Sequence, residues 1–165
     1  IEALHGAVDR HRPQLALALG QAAGRDGFTL ERVAINLDDA RIADNAGAQP
    51  IDTPVDARGP AAHFTTLPIK AMVAALRDAG HAASVSHSAG SFVCNHVFYG
   101  LQHLLKRRRG VRSGFMHLPC LPEQAARSTD MPSLPLAVMI EGVAIALACA
   151  AAVESDLRLS EGALD

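Results

Sequence analysis

Segments with helical periodicity alternate with short apolar runs along this chain, and that alternation most constrains its fold. Apolar residues recur at helical spacing in three segments, which begin near Ile1, Ile69 and Leu136. Between them lie four short apolar runs bounded by Gly, Pro, Asn or Asp, at residues 15–19, 32–37, 82–86 and 111–118. Strands that alternate with helices form a parallel sheet with helices on its faces. We therefore predict an α/β protein, a three-layer α/β/α sandwich with a mostly parallel, twisted central sheet.

The composition predicts a single folded domain over residues 1–165, because 49% of the residues are hydrophobic and only 19% are charged. The net charge is −2 and no basic face stands out, so we expect no nucleic acid partner. The longest apolar stretch, residues 134–153, contains Glu141, which favours a buried helix and no membrane association. Three cysteines, an odd number without a signal-peptide pattern, favour free thiols and a cytoplasmic location.

The segment at residues 84–99, SVSHSAGSFVCNHVFY, runs an apolar strand into a turn of small residues and then into a helix that carries Cys94. We expect Ser91 to cap this helix, which places Cys94 in its first turn. Backbone N–H groups and the positive end of the helix dipole favour a thiolate there, and a thiolate is a nucleophile. The alternative is that Cys94 is a small buried hydrophobic residue.

A cysteine nucleophile needs a base, and His117 is the one of eight histidines that ends a predicted strand. It lies in the run GFMHLP, where the chain leaves the sheet. We expect it to stand beside the Cys94 turn if the two strands are neighbours. His96 follows Cys94 by two residues, so it points to a different face of the helix and ranks below His117.

Four blocks of sequence carry a family resemblance. They are GQAAGR at 20–25, ERVAINLDDARIADNAGAQPID at 31–52, SAGSFVCNHVFYGL at 88–101 and GFMHLPCLPEQ at 114–124. In these blocks and in their order, the chain resembles the pyroglutamyl peptidase I family of cysteine peptidases, also called pyrrolidone-carboxylate peptidases. The blocks are spread over residues 20–124 of the chain.

The resemblance implies a catalytic triad of Cys94, His117 and Glu31. It implies a cysteine exopeptidase, an omega peptidase, that removes an N-terminal pyroglutamyl residue through a thioester intermediate. Cys94 would attack the carbonyl carbon, His117 would act as general base and then protonate the leaving amine, and Glu31 would orient the imidazole. From the residues alone, the favoured interpretation of Glu31 is a carboxylate at a strand start that is solvated or paired with Arg32 or Arg41.

The resemblance also implies four substrate-binding residues: Gln21, Arg41, Phe92 and Val93. The amide of Gln21 would recognise the lactam ring by hydrogen bonding. The alternative role of Gln21 is to stabilise a turn through the same amide. Arg41 would help to stabilise the oxyanion, and its alternative is an ion pair with a nearby aspartate. Phe92 and Val93 would shape the lactam pocket or serve as core contacts. A pocket for a neutral lactam should be apolar, with one or two amide partners and no carboxylate.

Two departures from the family pattern are visible. The chain starts at Ile1, apparently without the family's N-terminal strand and GFxPFGG-type loop, and Cys120 stands where the family more often has an aromatic residue. The first departure supports an alternative: a noncatalytic pyroglutamyl-binding or structural subunit of the same fold. A metal-dependent hydrolase is disfavoured, since neither His-Glu-x-x-His nor Cys-x-x-Cys occurs.

We therefore expect no cofactor and no metal. The expected partners are N-terminally pyroglutamylated peptides and further copies of this chain, because the resemblance implies a homo-oligomer, commonly a tetramer.

Overall fold

The computed structural model of this protein describes residues 1–126 and 128–162. Helices alternate with strands over residues 69–125, as the apolar pattern predicts, whereas four strands follow one another between residues 15 and 64. The helices are α1 (Glu2–His11), α2 (Ile69–Asp78), α3 (Val93–Leu105), α4 (Pro122–Ala125) and α5 (Leu136–Ala152). The strands are β1 (Leu15–Gln21), β2 (Phe28–Glu31), β3 (Val33–Ile35), β4 (Ala62–Phe64), β5 (Ala83–Ser86) and β6 (Arg112–Leu118).

The main sheet has four strands in the order β1-β6-β2-β5. Strands β2 and β5 are parallel, with Glu31 opposite Ser86, whereas β6 runs antiparallel to β2, with His117 opposite Thr29. The predicted α/β class, a mostly parallel central sheet with flanking helices, is confirmed. The strands before Cys94 and at His117 are not neighbours, because β2 lies between β5 and β6, so the condition attached to the prediction for His117 is not met.

The longer helices follow from local sequence signals. Proline precedes both α2 and α5, where it removes no intrahelical hydrogen bond. The apolar residues that predict α2 are all buried, and they are Ile69, Met72, Val73 and Leu76. Beyond α2, Gly80 adopts φ +86°, a left-handed conformation that glycine reaches without strain and that ends the helix.

By its contacts, the chain divides into two compact units, each assembled from three segments. The first unit comprises Ile1–Ala18, Arg32–Thr66 and His87–Gly114. In it, α3 packs against the antiparallel pair β3–β4, and residues 36–61 form a long loop closed by a bridge between Asp38 and Thr53.

The second unit comprises Leu19–Glu31, Leu67–Ser86 and the described chain from Phe115 onward. Here α2 packs against β2, β5 and α5. Gly142 of α5 faces the ring of Phe28 so closely that a Cβ at this position would collide with it. Within the described ranges, no helix is both long enough and apolar enough to cross a membrane.

Candidate active site

His117 and Glu31 form a buried hydrogen-bonded pair in the second unit. The Nδ1 atom of His117 lies 2.8 Å from Oε1 of Glu31, and the two side chains are 4% and 0% exposed. Thr29 is opposite His117, and Glu31 follows Thr29 by two residues, so both β2 side chains point to the same face as the imidazole. The pair is therefore a diagonal contact across two antiparallel strands.

The polarity of this pair follows from its chemistry. A carboxylate only accepts hydrogen bonds, so Nδ1 carries the imidazole hydrogen and donates a hydrogen bond to Oε1 of Glu31. The neutral imidazole then presents Nε2 as its basic nitrogen. The ring of Phe115 packs beside His117 with centroids 4.8 Å apart, which restricts the imidazole further. The arrangement can orient a general base.

Arg25 also contacts this carboxylate, although the sequence patterns do not single it out. Its Nη2 atom lies 3.6 Å from Oε1 of Glu31 and 3.3 Å from Oγ of Ser86. The signal that could have identified Arg25 is its position at the end of the block GQAAGR. Glu31 is thus neither solvated nor at the surface, and its described ion pairs are with His117 and Arg25.

Cys94 lies in the first unit, at the second position of α3, and it is half-buried with a free thiol. The predicted position in the first helical turn is therefore confirmed. The predicted cap is wrong: the N-cap residue is Phe92, and the hydroxyl of Ser91 donates to the carbonyl of Asp39 instead. Sequence alone could not reveal that partner, because Asp39 comes from the long loop.

The next residue, Asn95, fastens the start of α3 to β3. It is fully buried, its Oδ1 accepts from the N–H of Ile35 at 3.0 Å, and its Nδ2 donates to the carbonyls of Ile35 at 2.8 Å and Leu37 at 2.9 Å. Both polar atoms of this amide are thus bonded to the β3 segment. Asn95 therefore fixes the helical turn on which Cys94 is carried.

His96 is paired with a carboxylate of the long loop. Its Nδ1 lies 2.7 Å from Oδ2 of Asp38, which is almost fully buried. This contact holds the loop against α3. A structural role of this kind agrees with the prediction that His117, and not His96, is the better candidate for the catalytic base.

Gln21, the last residue of β1, is exposed and donates through Nε2 to Oε1 of Gln124 at 2.6 Å. Both amides line a cavity of about 250 Å³ in the second unit, together with apolar residues such as Leu19, Leu118 and Met139. No residue lining this cavity carries a charge. The cavity has the character expected of a lactam site, and Gln124 is a member that the sequence patterns do not identify.

The remaining candidates belong to the first unit. Arg41 is exposed in the long loop, and no described residue forms an ion pair with it. Phe92 is half-buried and Val93 is 44% exposed at the start of α3. Of the predicted site residues, Glu31 and His117 are in contact, while Cys94, Arg41, Phe92 and Val93 share one unit and Gln21 lies in the other.

No group of three or more His, Cys, Asp or Glu side chains in the described part of the chain could hold a metal ion. The candidate chemistry is that of a thiol and a carboxylate-oriented imidazole.

Comparisons with known proteins agree on one family. The model of the family described as "Pyroglutamyl peptidase" matches residues 1–153. Pyrrolidone-carboxylate peptidases from Erwinia tasmaniensis and Cupriavidus taiwanensis are 56% and 57% identical to this chain; each match covers 99% of it, and 76% and 77% of the respective relative.

Solved structures give the same result. The crystal structure of pyroglutamyl peptidase I from Bacillus amyloliquefaciens matches with a TM-score of 0.93 and 43% identity, over 96% of this chain and 76% of that one. The pyrrolidone carboxyl peptidase from Thermococcus litoralis matches with a TM-score of 0.92 and 31% identity, over 96% and 77%. On its sequence and its fold, this chain belongs to the pyroglutamyl peptidase family of cysteine peptidases.

Proposed function

We propose that this protein is a cysteine exopeptidase that hydrolyses the bond after an N-terminal pyroglutamyl residue. The observation that carries the proposal is the buried hydrogen bond between His117 and Glu31, in a family member that also has Cys94 in the first turn of a helix. A cysteine nucleophile with a base oriented by a third group is the general arrangement of thiol hydrolases.

The first half of the reaction acylates the enzyme. The sulfur of Cys94 attacks the pyroglutamyl carbonyl carbon while its proton passes to Nε2 of His117, which requires the two side chains to meet in the working enzyme. Glu31 stabilises the imidazolium that forms. The tetrahedral intermediate then collapses, the C–N bond breaks, the amine leaves with the proton from Nε2, and a thioester remains on Cys94.

The second half regenerates the thiol. His117 takes a proton from water as the water oxygen attacks the thioester carbonyl, and the C–S bond then breaks to release pyroglutamate. Both tetrahedral intermediates carry an oxyanion. We assign its stabilisation to backbone N–H groups at the start of α3, with Arg41 as the nearby cation.

Specificity rests on the neutrality of the lactam. The uncharged cavity beside Gln21 supports binding of the lactam there, because an amide offers hydrogen bonds to the ring and brings no charge. The family resemblance also assigns Phe92 and Val93 a role in shaping the lactam pocket. A free amino terminus is a cation, and moving it into such a site unpaired costs too much desolvation free energy for tight binding.

The proposed substrates are N-terminally pyroglutamylated peptides, and the proposed assembly is a homo-oligomer, with a tetramer implied by the family resemblance. Cys94, Cys120 and Cys149 are all free thiols, which supports a reducing location such as the cytoplasm. We also propose that the chain works as one peptidase domain, because the family match runs through residues 1–153 without a break. This coverage also favours the peptidase function over the noncatalytic alternative.

The test is release of a fluorogenic amine from a pyroglutamyl amide by the wild-type chain and by Cys94→Ala. A prolyl amide, which has a basic nitrogen in place of the lactam, is the matched substrate control. We expect turnover of the pyroglutamyl substrate alone and its loss in the variant. Turnover that survives in Cys94→Ala would refute the mechanism, and a folded wild-type chain without turnover would refute the function.

A further inference from the structure

Arg25 contacts the Glu31 carboxylate, and the mechanism above does not use it. Its guanidinium lies 3.6 Å from Oε1 of Glu31, the same oxygen that accepts from His117. It also donates to Oγ of Ser86 at 3.3 Å, and Ser86 is the residue opposite Glu31 in the parallel pairing of β2 and β5. Two neighbouring strands thus fix the guanidinium beside the carboxylate.

The burial of Glu31 makes this contact consequential. Its side chain is 0% exposed, and Oε2 has no hydrogen-bond partner among the described residues. The charge of a buried carboxylate is poorly solvated, so a nearby permanent cation stabilises it.

The charged side chains on the other elements around β2 do not supply this cation. Those on the helices packed against β2 are Lys70, Arg77 and Asp78 of α2 and Glu141 of α5. Arg77 is paired with Glu161, the backbone N–H of Lys70 is bonded to Asp156, and Glu141 lies 3.9 Å from His81. Asp78 is exposed at the end of α2, and β5 carries no charged side chain. The cation beside Glu31 is Arg25.

We propose that Arg25 is a positioning residue that offsets the buried charge of Glu31 and holds its Oε1 against His117. This role rests on the proposed function, since it matters only if His117 is the base. Arg25 touches neither substrate nor thiol in this account, so it acts on the rate and not on substrate affinity.

The effect of removing Arg25 follows from the contact. Without the guanidinium, the Glu31 carboxylate loses its charge partner and is held less firmly against His117. In Arg25→Met we therefore expect kcat at neutral pH to fall about tenfold or more, with KM within about twofold of wild type.

The experiment compares Arg25→Met, Arg25→Lys and Arg25→Ala with Arg77→Met, a matched loss of an ion-paired arginine in the same unit. Arg25→Lys should keep most of the rate, and Arg77→Met should keep the wild-type rate. Guanidinium ion at low millimolar concentration should raise the rate of Arg25→Ala several-fold in a saturable way, because the Arg25 side chain is 33% exposed and its position is open to solvent. Urea at the same concentration should not.

A wild-type rate in Arg25→Met would overturn the proposal. So would a rate loss that neither lysine nor guanidinium restores, since that is the behaviour of a merely structural residue. The proton NMR signal of Nδ1–H of His117, which is hydrogen-bonded to Glu31, is independent of turnover. It should shift in Arg25→Met and not in Arg77→Met, so an inactive wild type refutes the proposed function while this signal still decides the role of Arg25.

Discussion

Replacing Glu31 with glutamine removes one charge while keeping the shape of the side chain, and the surroundings of Glu31 set the size of the effect. Oε1 accepts a hydrogen bond from Nδ1–H of His117 at 2.8 Å and forms an ion pair with the guanidinium of Arg25 at 3.6 Å. Oε2 faces no hydrogen-bond partner among the described residues. The amide introduced by Glu31→Gln should therefore place its oxygen at the Oε1 position and its NH₂ at the Oε2 position.

That orientation determines the magnitude. With its oxygen toward Nδ1–H, the amide keeps the productive tautomer of His117 and loses only the charge. A hydrogen bond to a charged group contributes about 1.5–3 kcal/mol, and a neutral one about 0.5–1.5 kcal/mol. The variant should therefore lose the difference, about 1–1.5 kcal/mol, when imidazolium forms, so that kcat falls roughly 5- to 13-fold. An amide turned the other way would favour the wrong tautomer and cost about 10⁴-fold.

The assay is steady-state hydrolysis of the pyroglutamyl amide by Glu31→Gln, Glu31→Leu and Glu141→Gln. The last variant is the control, since Glu141 is 63% exposed in the same unit. We expect Glu31→Leu to be the slowest and Glu141→Gln to match wild type. A loss of about 10⁴-fold in Glu31→Gln would refute the orientation argued from Arg25, and wild-type kcat would refute a role for the charge.

Two further predictions concern the first unit. Asn95→Leu removes three hydrogen bonds to the β3 segment and leaves buried backbone groups without partners. It should therefore lower the free energy of unfolding by about 3 kcal/mol or more, as measured by urea unfolding. An unchanged midpoint would contradict the role of Asn95 in fastening α3 to β3. Burial lowers the pKa of His63, and the charges of His103 and Lys106 lower it further, so the unfolded chain binds a proton at His63 more readily than the folded chain. The stability should therefore fall as the pH drops below about 6.5, and Lys106→Met should reduce that fall in thermal scans from about pH 7.5 to 5. An identical fall in the wild type and in Lys106→Met would rule out the contribution of Lys106.

Local patterns are sufficient for the helices and for the position of the nucleophile. The apolar spacing in α2 corresponds to a buried face, and the small-residue turn before α3 places Cys94 in the first helical turn. These features depend on neighbours a few residues apart, which the sequence shows directly. The prediction for Ser91 fails because its hydroxyl has a partner 52 residues away in the chain.

The pairing of strands is beyond local patterns. Nothing in the run that contains His117 reveals that β6 is antiparallel to β2, or that β2 separates β5 from β6. The four residues of β2 are all buried, so no alternation marks the strand, and Glu31 looks like a surface carboxylate in the sequence. The contact of Arg25 with Glu31 depends on this pairing. It can be found only once the strands are placed.

The central claim is that Cys94 forms a covalent pyroglutamyl thioester. The most direct measurement is acid quenching of the protein during turnover of a pyroglutamyl amide, followed by mass spectrometry of its peptides. The account predicts one added pyroglutamyl group on the peptide that contains Cys94, and none in Cys94→Ala. An adduct on Cys120 or Cys149, or steady turnover in Cys94→Ala, would contradict it.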